Sequence, residues 1–329
     1  MSPKFFASAV ALAAILAAPL TAQTPPKAKN WTVPRLQDGH PDLQGIWTNA
    51  TITPLERPPM FAAKAVATDA EATAYETRNN DNLYGDKRGA SAEADRDHAY
   101  NSLFFDRGTE LARVDGVKRT SLIVDPPVGK VPPLTPDAQK RFAARPRNRF
   151  DGPEDRPLGE RCLMGFGNTS GPPMLPVLYN NNYQIVQSAG TIMILVEMVH
   201  DVRFIHTDGR PHLPSNIRQW LGDSIGHWEG DTLVVDTTNF TGKTRFRGSS
   251  ENLHIIERFT RVDANTILYK VTLDDPTTFT KSWTLEYPFL ATAGPIFEYA
   301  CHEGNYAMVD ILGGARAEEK AADKAAPKK

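Results

Sequence analysis

The chain has 329 residues, 40% of them hydrophobic and 23% charged, enough to bury a substantial core without a partner. Its 37 Lys+Arg against 39 Asp+Glu, with no basic block, speak against a surface that tracks nucleic-acid phosphates. The 26 prolines and 23 glycines speak against a helical bundle and point to many turns and short elements.

At the N-terminus Lys4 precedes an apolar run from Phe5 to Leu20, which exits through Thr21-Ala22 before Gln23. Residues 1–22 therefore read as a secretory signal peptide. The run is shorter than the roughly 20 residues that a spanning helix needs. The most apolar later segment, Thr191 to Val199, is interrupted by Glu197. No membrane span is expected after cleavage, and the mature protein is expected in the periplasm or outside the cell.

Residues 23–42 form a polar, Pro-rich leader, and a first strand is expected over Leu43–Asn49, around Gly45-Ile46-Trp47. Thr68 with Glu71 three residues on is a capping box that opens a helix to Asn79. Residues 80–119 read as polar and irregular, followed by a short strand at Thr120–Val124. Thr135-Pro136-Asp137 opens a second helix running to about Ala144. From Arg145 to Pro176 the composition is that of connections draped over a scaffold, and the glycine-rich Gly165–Gly171 reads as a lid or connector.

The second half switches to a spacing of two. Thr191–His206 reads as one long strand with Ile192, Ile194, Val196, Met198, His200, Val202, Phe204 and His206 on its apolar face. Further strands are expected at Tyr183–Ser188, Asp231–Thr237, Leu253–Val262, Thr266–Leu273, Thr278–Tyr287 and Ile296–Cys301. Turn residues at Ala189-Gly190, Glu229-Gly230-Asp231, Asp263-Ala264-Asn265 and Asp274-Asp275-Pro276 separate neighbours. The expected fold is mainly β: an antiparallel, lipocalin-like barrel of about eight strands or a strongly curved sheet, with a two-sheet sandwich as the competitor. One β-rich domain spans 43–316, and the Ala/Lys/Glu-rich tail 317–329 is expected to fray.

In an oxidising compartment Cys162 and Cys301 are expected to form a disulfide rather than a metal or nucleophile pair. Two buried thiols that never meet are the competing reading, and a catalytic Cys301 ranks third. A bridge closing so long a loop contributes about 4 kcal/mol in the chain-entropy model.

The strings "PDLQGIWTN" from Pro41, "RTSLIVDPPVGK" from Arg119, "GHWEGDTLVVDTTNF" from Gly226 and "YACHEGNY" from Tyr299 stand in this chain. Together they resemble a large family of exported, largely uncharacterised bacterial proteins. The resemblance runs from Pro41 to Arg316 and implies a secreted, β-rich protein. It carries no reaction with it.

Candidate chemistry lies between His200 and His302. His302, held by a bridged Cys301, is the first choice for proton transfer, with Glu303 or Asp201 to orient it and Tyr306 as a hydrogen-bond or proton donor. His200 falls on an apolar strand face, where an imidazole needs a partner. Glu257 shares its face with Leu253, Ile255 and Phe259, which suits a carboxyl of raised pKa acting as a general acid, or one paired with Arg203 or Arg245. His254 lies on the opposite face of that strand and is counted among the residues expected to bind the small molecule. Arg210, His212, Arg218, Trp220 and His227 are expected to collect at a barrel rim and bind a small molecule, with Trp228 bracing a hairpin. Arg245 and Arg247 alternate as a two-pronged anion contact.

No organic cofactor is implied. A divalent metal on His200, His212, His227 and His302 lacks any compact ligand motif. Two functions follow: a periplasmic or secreted lyase, isomerase or hydrolase using acid/base chemistry on a small polar, glycosidic or aromatic compound, or a non-catalytic lipocalin-like carrier. An enzyme requires His200, Glu257 and His302 to converge on one cavity within proton-transfer distance, whereas a carrier requires only an apolar interior.

Overall fold

The computed structural model describes residues 31–61, 63–84, 91, 105–144, 150–166, 171–244 and 246–325. The expected signal peptide, leader residues 23–30, residues 167–170 of the glycine-rich stretch, Arg245 and residues 326–329 lie outside the described residues. Among the described residues no helix is long and apolar enough to cross a membrane.

Strand β1 (Gly45–Thr48) precedes a small hairpin, β2 (Arg113–Val114) with β3 (Val117–Lys118), and then β4 (Ile123–Asp125). The second half supplies β5 (Asn182–Ser188), β6 (Thr191–Val196), β7 (Val202–His206), β8 (Asp223–Glu229) and β9 (Thr232–Thr238). It ends with β10 (His254–Asp263), β11 (Thr266–Asp274) and β12 (Trp283–Ala291). Strands β1 and β5 to β12 close into a nine-strand barrel, because β12 meets β1 through Trp47↔Ala291 and Thr48↔Leu290. Strand β4 adds to the start of β12 through Ile123↔Leu285 and Asp125↔Thr284. Closure leaves no row of unpaired backbone along the nine strands, which is the physical advantage of a barrel over an open sheet.

The alternation read from sequence drives this arrangement. Ile267, Tyr269, Val271 and Leu273 of β11 are all buried, as are Ile255 and Phe259 of β10. Gly190 (φ 72°) and Gly230 (φ 60°) turn the β5–β6 and β8–β9 hairpins through left-handed backbone that side chains resist.

Four expectations need correction. Thr191–His206 is a hairpin, not one strand: β6 pairs with β7 antiparallel from Thr191↔His206 to Leu195↔Val202. The chain reverses at 197–201, where Val199 (φ 66°) and His200 (φ 46°) adopt left-handed conformations. Buried Glu197 anchors that turn by accepting hydrogen bonds from Asn182 Nδ2 at 2.9 Å and Phe297 N at 2.8 Å. The reversal also flips the parity, so Arg203 and Ile205 face inward while Phe204 is 56% exposed.

The barrel is mixed rather than purely antiparallel, since β7 and β8 run parallel through Ile205↔Ser224 and His206↔Ile225. Ile296–Cys301 is not a strand, and Thr278–Ser282 belong to the connection before β12. Gly294 (φ 74°) followed by Pro295, which has no N–H to donate, ends the ladder before Ile296.

Among the described residues three α-helices flank the barrel. Helix α1 (Asp69–Tyr84) carries the expected box: Thr68 N donates to Glu71 Oε2 at 2.9 Å and Glu71 N to Thr68 Oγ1 at 3.3 Å. Helix α2 (Pro136–Ala143) is capped by Thr135, whose Oγ1 accepts from Ala138 N at 3.2 Å. Helix α3 (Ala307–Ala325) takes up most of the tail expected to fray. Its Arg316 Nη2 donates to Phe150 O at 2.8 Å.

Side chains fill the barrel interior. Phe259, Tyr269, Tyr287 and Phe289 are all buried, and ring centroids lie 5.0 Å apart for Phe259 and Tyr269, 5.1 Å for Tyr269 and Phe289. The segment around Met174 enters among these rings. Met174 O accepts from Tyr287 Oη and Asn49 Nδ2, each at 2.7 Å, and its N–H donates to Tyr269 Oη at 3.4 Å. Tyr269 Oη donates onward to Glu257 Oε1 at 2.7 Å. Glu257 is clamped by Arg203 at 3.0 and 2.6 Å, and Arg203 Nη2 reaches Ser224 Oγ at 3.2 Å. Burial pushes the Tyr269 phenol well above its ordinary value, and the neighbouring Glu257 charge adds to the effect, so it stays a donor.

Desolvating such an ion pair costs several kcal/mol per ion, which its mutual attraction and the bonds to Tyr269 and Ser224 offset. Glu257→Ala would strand the Arg203 cation inside the barrel. It should lose about 3–5 kcal/mol of stability in urea unfolding, while the double variant Arg203→Met, Glu257→Leu should lose clearly less. Equal losses in the two proteins would show that burial of an uncompensated charge is not the cause.

Candidate functional site

Cys162 and Cys301 are bridged, with Cα atoms 5.7 Å apart across a sequence separation of 139. The bridge ties the 157–166 segment to the stretch after β12. Yet the residues expected to work around it do not assemble. His302 and Glu303 are exposed, the His302 side chain makes no hydrogen bond among the described residues, and Tyr306 is 73% exposed. His200 is exposed at the β6–β7 turn and uses Nδ1 to reach Tyr299 O at 2.9 Å. Asp201 sits in the same turn, where its carbonyl accepts from Val196 N at 2.8 Å.

Glu257 is sealed inside the barrel with Arg203, so it shares no cavity with His200 or His302. The pairing with Arg203 is therefore the correct alternative for that carboxylate, and a solvent-reaching general acid is not.

The outer face is different. Strands β8, β9 and β10 carry Asp223, Asp236 and His254 at outward positions near the same end of the barrel, and the 207–222 crossover lays His212 against them. Asp223 fixes the crossover: its Oδ2 accepts from Leu213 N at 2.9 Å and contacts His212 Nδ1 at 2.7 Å. Asn239 Nδ2 donates to Leu213 O at 2.8 Å, holding the loop from the other side.

With Nδ1 committed to Asp223, the His212 ring aims Nε2 at Asp236 Oδ1, 3.2 Å away. The same carboxylate oxygen lies 2.8 Å from His254 Nε2. The result is a continuous chain, Asp223–His212–Asp236–His254, that runs from a buried carboxylate to partly exposed groups. Nitrogen and carboxylate oxygen at such distances bridge only through a proton, so each of the three contacts holds one.

The charges respond accordingly. Burial alone would raise Asp236, but the hydrogen bond and charge of His254, together with His212, hold it below its ordinary value. The hydrogen bond to Asp236 raises His254 above its ordinary value against the opposing effect of burial, helped by the charges of Asp236 and Asp274.

The remaining candidates are mostly structural. Arg210 pairs with Asp208 at 2.5 to 3.0 Å, and the resulting hydrogen bonds hold the exposed Asp208 carboxyl at about 2. Arg218 Nη1 donates to Glu251 O at 2.7 Å and Phe240 O at 3.2 Å, clamping two loops. Trp220 is half-buried and its carbonyl accepts from Thr244 Oγ1 at 2.8 Å. His227 pairs with Glu229 at 3.2 Å on the surface. Trp228 stacks on His40 with centroids 5.0 Å apart. Arg247 is exposed in a tight turn (φ 46°), so the two-pronged contact with Arg245, itself outside the described residues, is not seen.

His200, His212, His227 and His302 are not brought together, and no group of three or more His, Cys, Asp or Glu among the described residues is arranged to hold a metal. Sequence reasoning missed Asp236. Its signal was a lone carboxylate in an apolar strand, Leu233-Val234-Val235-Asp236, diagonal to His254 once the Ile256↔Asp236 register is known. No family model matches the chain, and neither a curated protein nor a solved structure is similar to it.

The sign of the pH dependence follows from these shifts. The raised His254 contributes stability that is full below its unfolded value of about 6.5 and is lost as pH rises through its folded value. The lowered Asp236 contributes above about 3.9 and loses its share as pH falls through its folded value. Since both describe one ion pair, its contribution is greatest between these limits. A proton NMR titration should place His254 above 6.5, and Asp236→Asn should bring it down to that value or lower, because burial alone disfavours the cation. A His254 midpoint unmoved by Asp236→Asn would remove the pair from this account.

Proposed function

We propose that the chain is an exported enzyme of the lyase, isomerase or hydrolase type, working by acid/base chemistry without an organic cofactor on a small polar, glycosidic or aromatic compound. The observation that carries this reading is the hydrogen-bonded chain Asp223–His212–Asp236–His254 on the outer face of the barrel. The N-terminal apolar run and the bridged cysteines support export.

In this reading Asp223 orients His212; when the substrate displaces Asp236, His212 gives up its Nε2 proton to solvent, and the freed nitrogen takes the proton from the substrate. His254, whose proton is retained to higher pH, donates to the oxygen on which charge develops. Asp236 holds the two rings apart in the resting state and gives way to a substrate hydroxyl or carbonyl on binding. The proton removed by one imidazole is thus returned by the other, as elimination or isomerisation requires. The rings of the barrel interior and the inserted Met174 weigh against the carrier reading, which needs that space for its guest.

The test is untargeted mass spectrometry of a plant and microbial metabolite extract incubated with purified mature protein, followed by kinetics on any compound converted. Wild type should convert at least one compound, and His212→Ala and His254→Ala should each reduce turnover by about 10²- to 10⁴-fold with unchanged circular dichroism. Asp223→Asn should lower the rate with little change in substrate affinity, since it frees the ring without removing it. Conversion that survives both histidine substitutions would exclude this cluster, and retention without conversion would make the protein a binder.

A further inference from the structure

A concave site lies on the disulfide side of the molecule and shares no residue with the His/Asp chain. It encloses about 420 Å³, and its walls include Glu160, Phe166, Asn180, Glu298, Tyr299 and Asn305. That volume suits a compact organic molecule.

Its walls are aromatic and acidic. Tyr299 stacks on Tyr179 with centroids 6.3 Å apart and planes 14° apart. Phe166 meets Tyr179 edge-on at 6.2 Å and 78°. Burial, with the neighbouring Tyr179, pushes the Tyr299 phenol up to about 12, so the wall presents a neutral ring. Among the described residues that line the site there is no Lys, Arg or His. Glu160 is neutralised from outside by Arg156 at 2.8 Å, whereas exposed Glu298 has no ion-pair partner among the described residues.

The walls are also held in place. Tyr299 O accepts from Cys301 N and faces His200 Nδ1, each at 2.9 Å, and Asn305 Nδ2 lies 3.4 Å from Cys162 Sγ. A pocket fixed in this way loses little freedom when a guest enters.

Ring faces attract cations through their quadrupole, and a carboxylate without a counter-ion attracts them through its charge. An anion would meet Glu298, and among the described residues no group of three or more His, Cys, Asp or Glu is arranged here to hold a bare metal ion. The geometry points to a small free alkylammonium ion, of the quaternary or tertiary type, as the ligand of the cavity beside the Cys162–Cys301 bridge.

Isothermal titration of the oxidised protein with choline chloride tests this assignment. Saturable binding is expected, and the uncharged isostere, in which a quaternary carbon replaces the nitrogen, should bind at least about tenfold more weakly. Glu298→Gln should weaken choline about threefold, Tyr299→Leu about tenfold, and His254→Ala not at all. The failure of this site and of the acid/base site are thereby read separately. Absence of saturation at millimolar choline, or equal binding of the uncharged isostere to wild type, overturns the proposal without reliance on any variant. Displacement of choline by phosphatidylcholine vesicles would assign the same cation chemistry to a lipid headgroup and overturn the free ion as ligand.

Discussion

Parallel pairing of β7 with β8 is the constraint from which the outer-face site follows. Antiparallel neighbours can be joined by a two-residue turn, but parallel neighbours need a connection that travels back along the strand. The chain makes that return through 207–222, the long crossover that lies over the barrel wall. Asp223 stands at the point where it re-enters the sheet. By accepting from the Leu213 amide and contacting His212, that carboxylate turns a topological necessity into a positioned imidazole. A purely antiparallel meander would have had a tight turn here, and His212 would have had nothing to lean against.

Inside the barrel the same strand does opposite work. Arg203 of β7 reaches Glu257 of β10 across the interior, and Tyr269 links that pair to the backbone of Met174. Buried polar groups specify a unique arrangement only when each finds partners. Here the network ties the inserted segment, the parallel seam and the long β10–β11 hairpin to one another. The interior is therefore committed to holding the fold together, which leaves the outer face and the disulfide side as the places where a solute can be met.

How much of this was legible in the sequence differs from element to element. Strand β11 was plain because its nine residues alternate without interruption between turns that contain Asp, and β10 because it alternates as far as Phe259. Both helix caps were plain because Thr68 with Glu71, and Thr135 with Pro136, state their chemistry locally. The cysteine bridge followed from the count of two cysteines and the expectation of an oxidising compartment. The reversal at 197–201 was hidden, because it is made by Val199 and His200, residue types that rarely signal a left-handed turn, and the apolar alternation continues across it. Strand β8 was hidden for a related reason, since Gly226, His227 and Trp228 resemble a rim loop until β9 is laid beside them. The Asp236–His254 contact depends on register between two strands, which no single strand encodes.

The seam that completes the barrel has a kinetic side. Trp47 and Thr48 of β1 wait for Ala291 and Leu290 of β12, nearly the whole length of the domain later. Contacts of such high separation are entropically expensive to form early, and topologies built on them fold slowly. Until the last strand is available, β1 and β11 each present an open edge to any neighbouring chain. The protein thus passes through a stage in which most of its core exists and its wall does not. Any shortened chain ending before Trp283 would be held at that stage, sticky along two edges, however intact its other hairpins are.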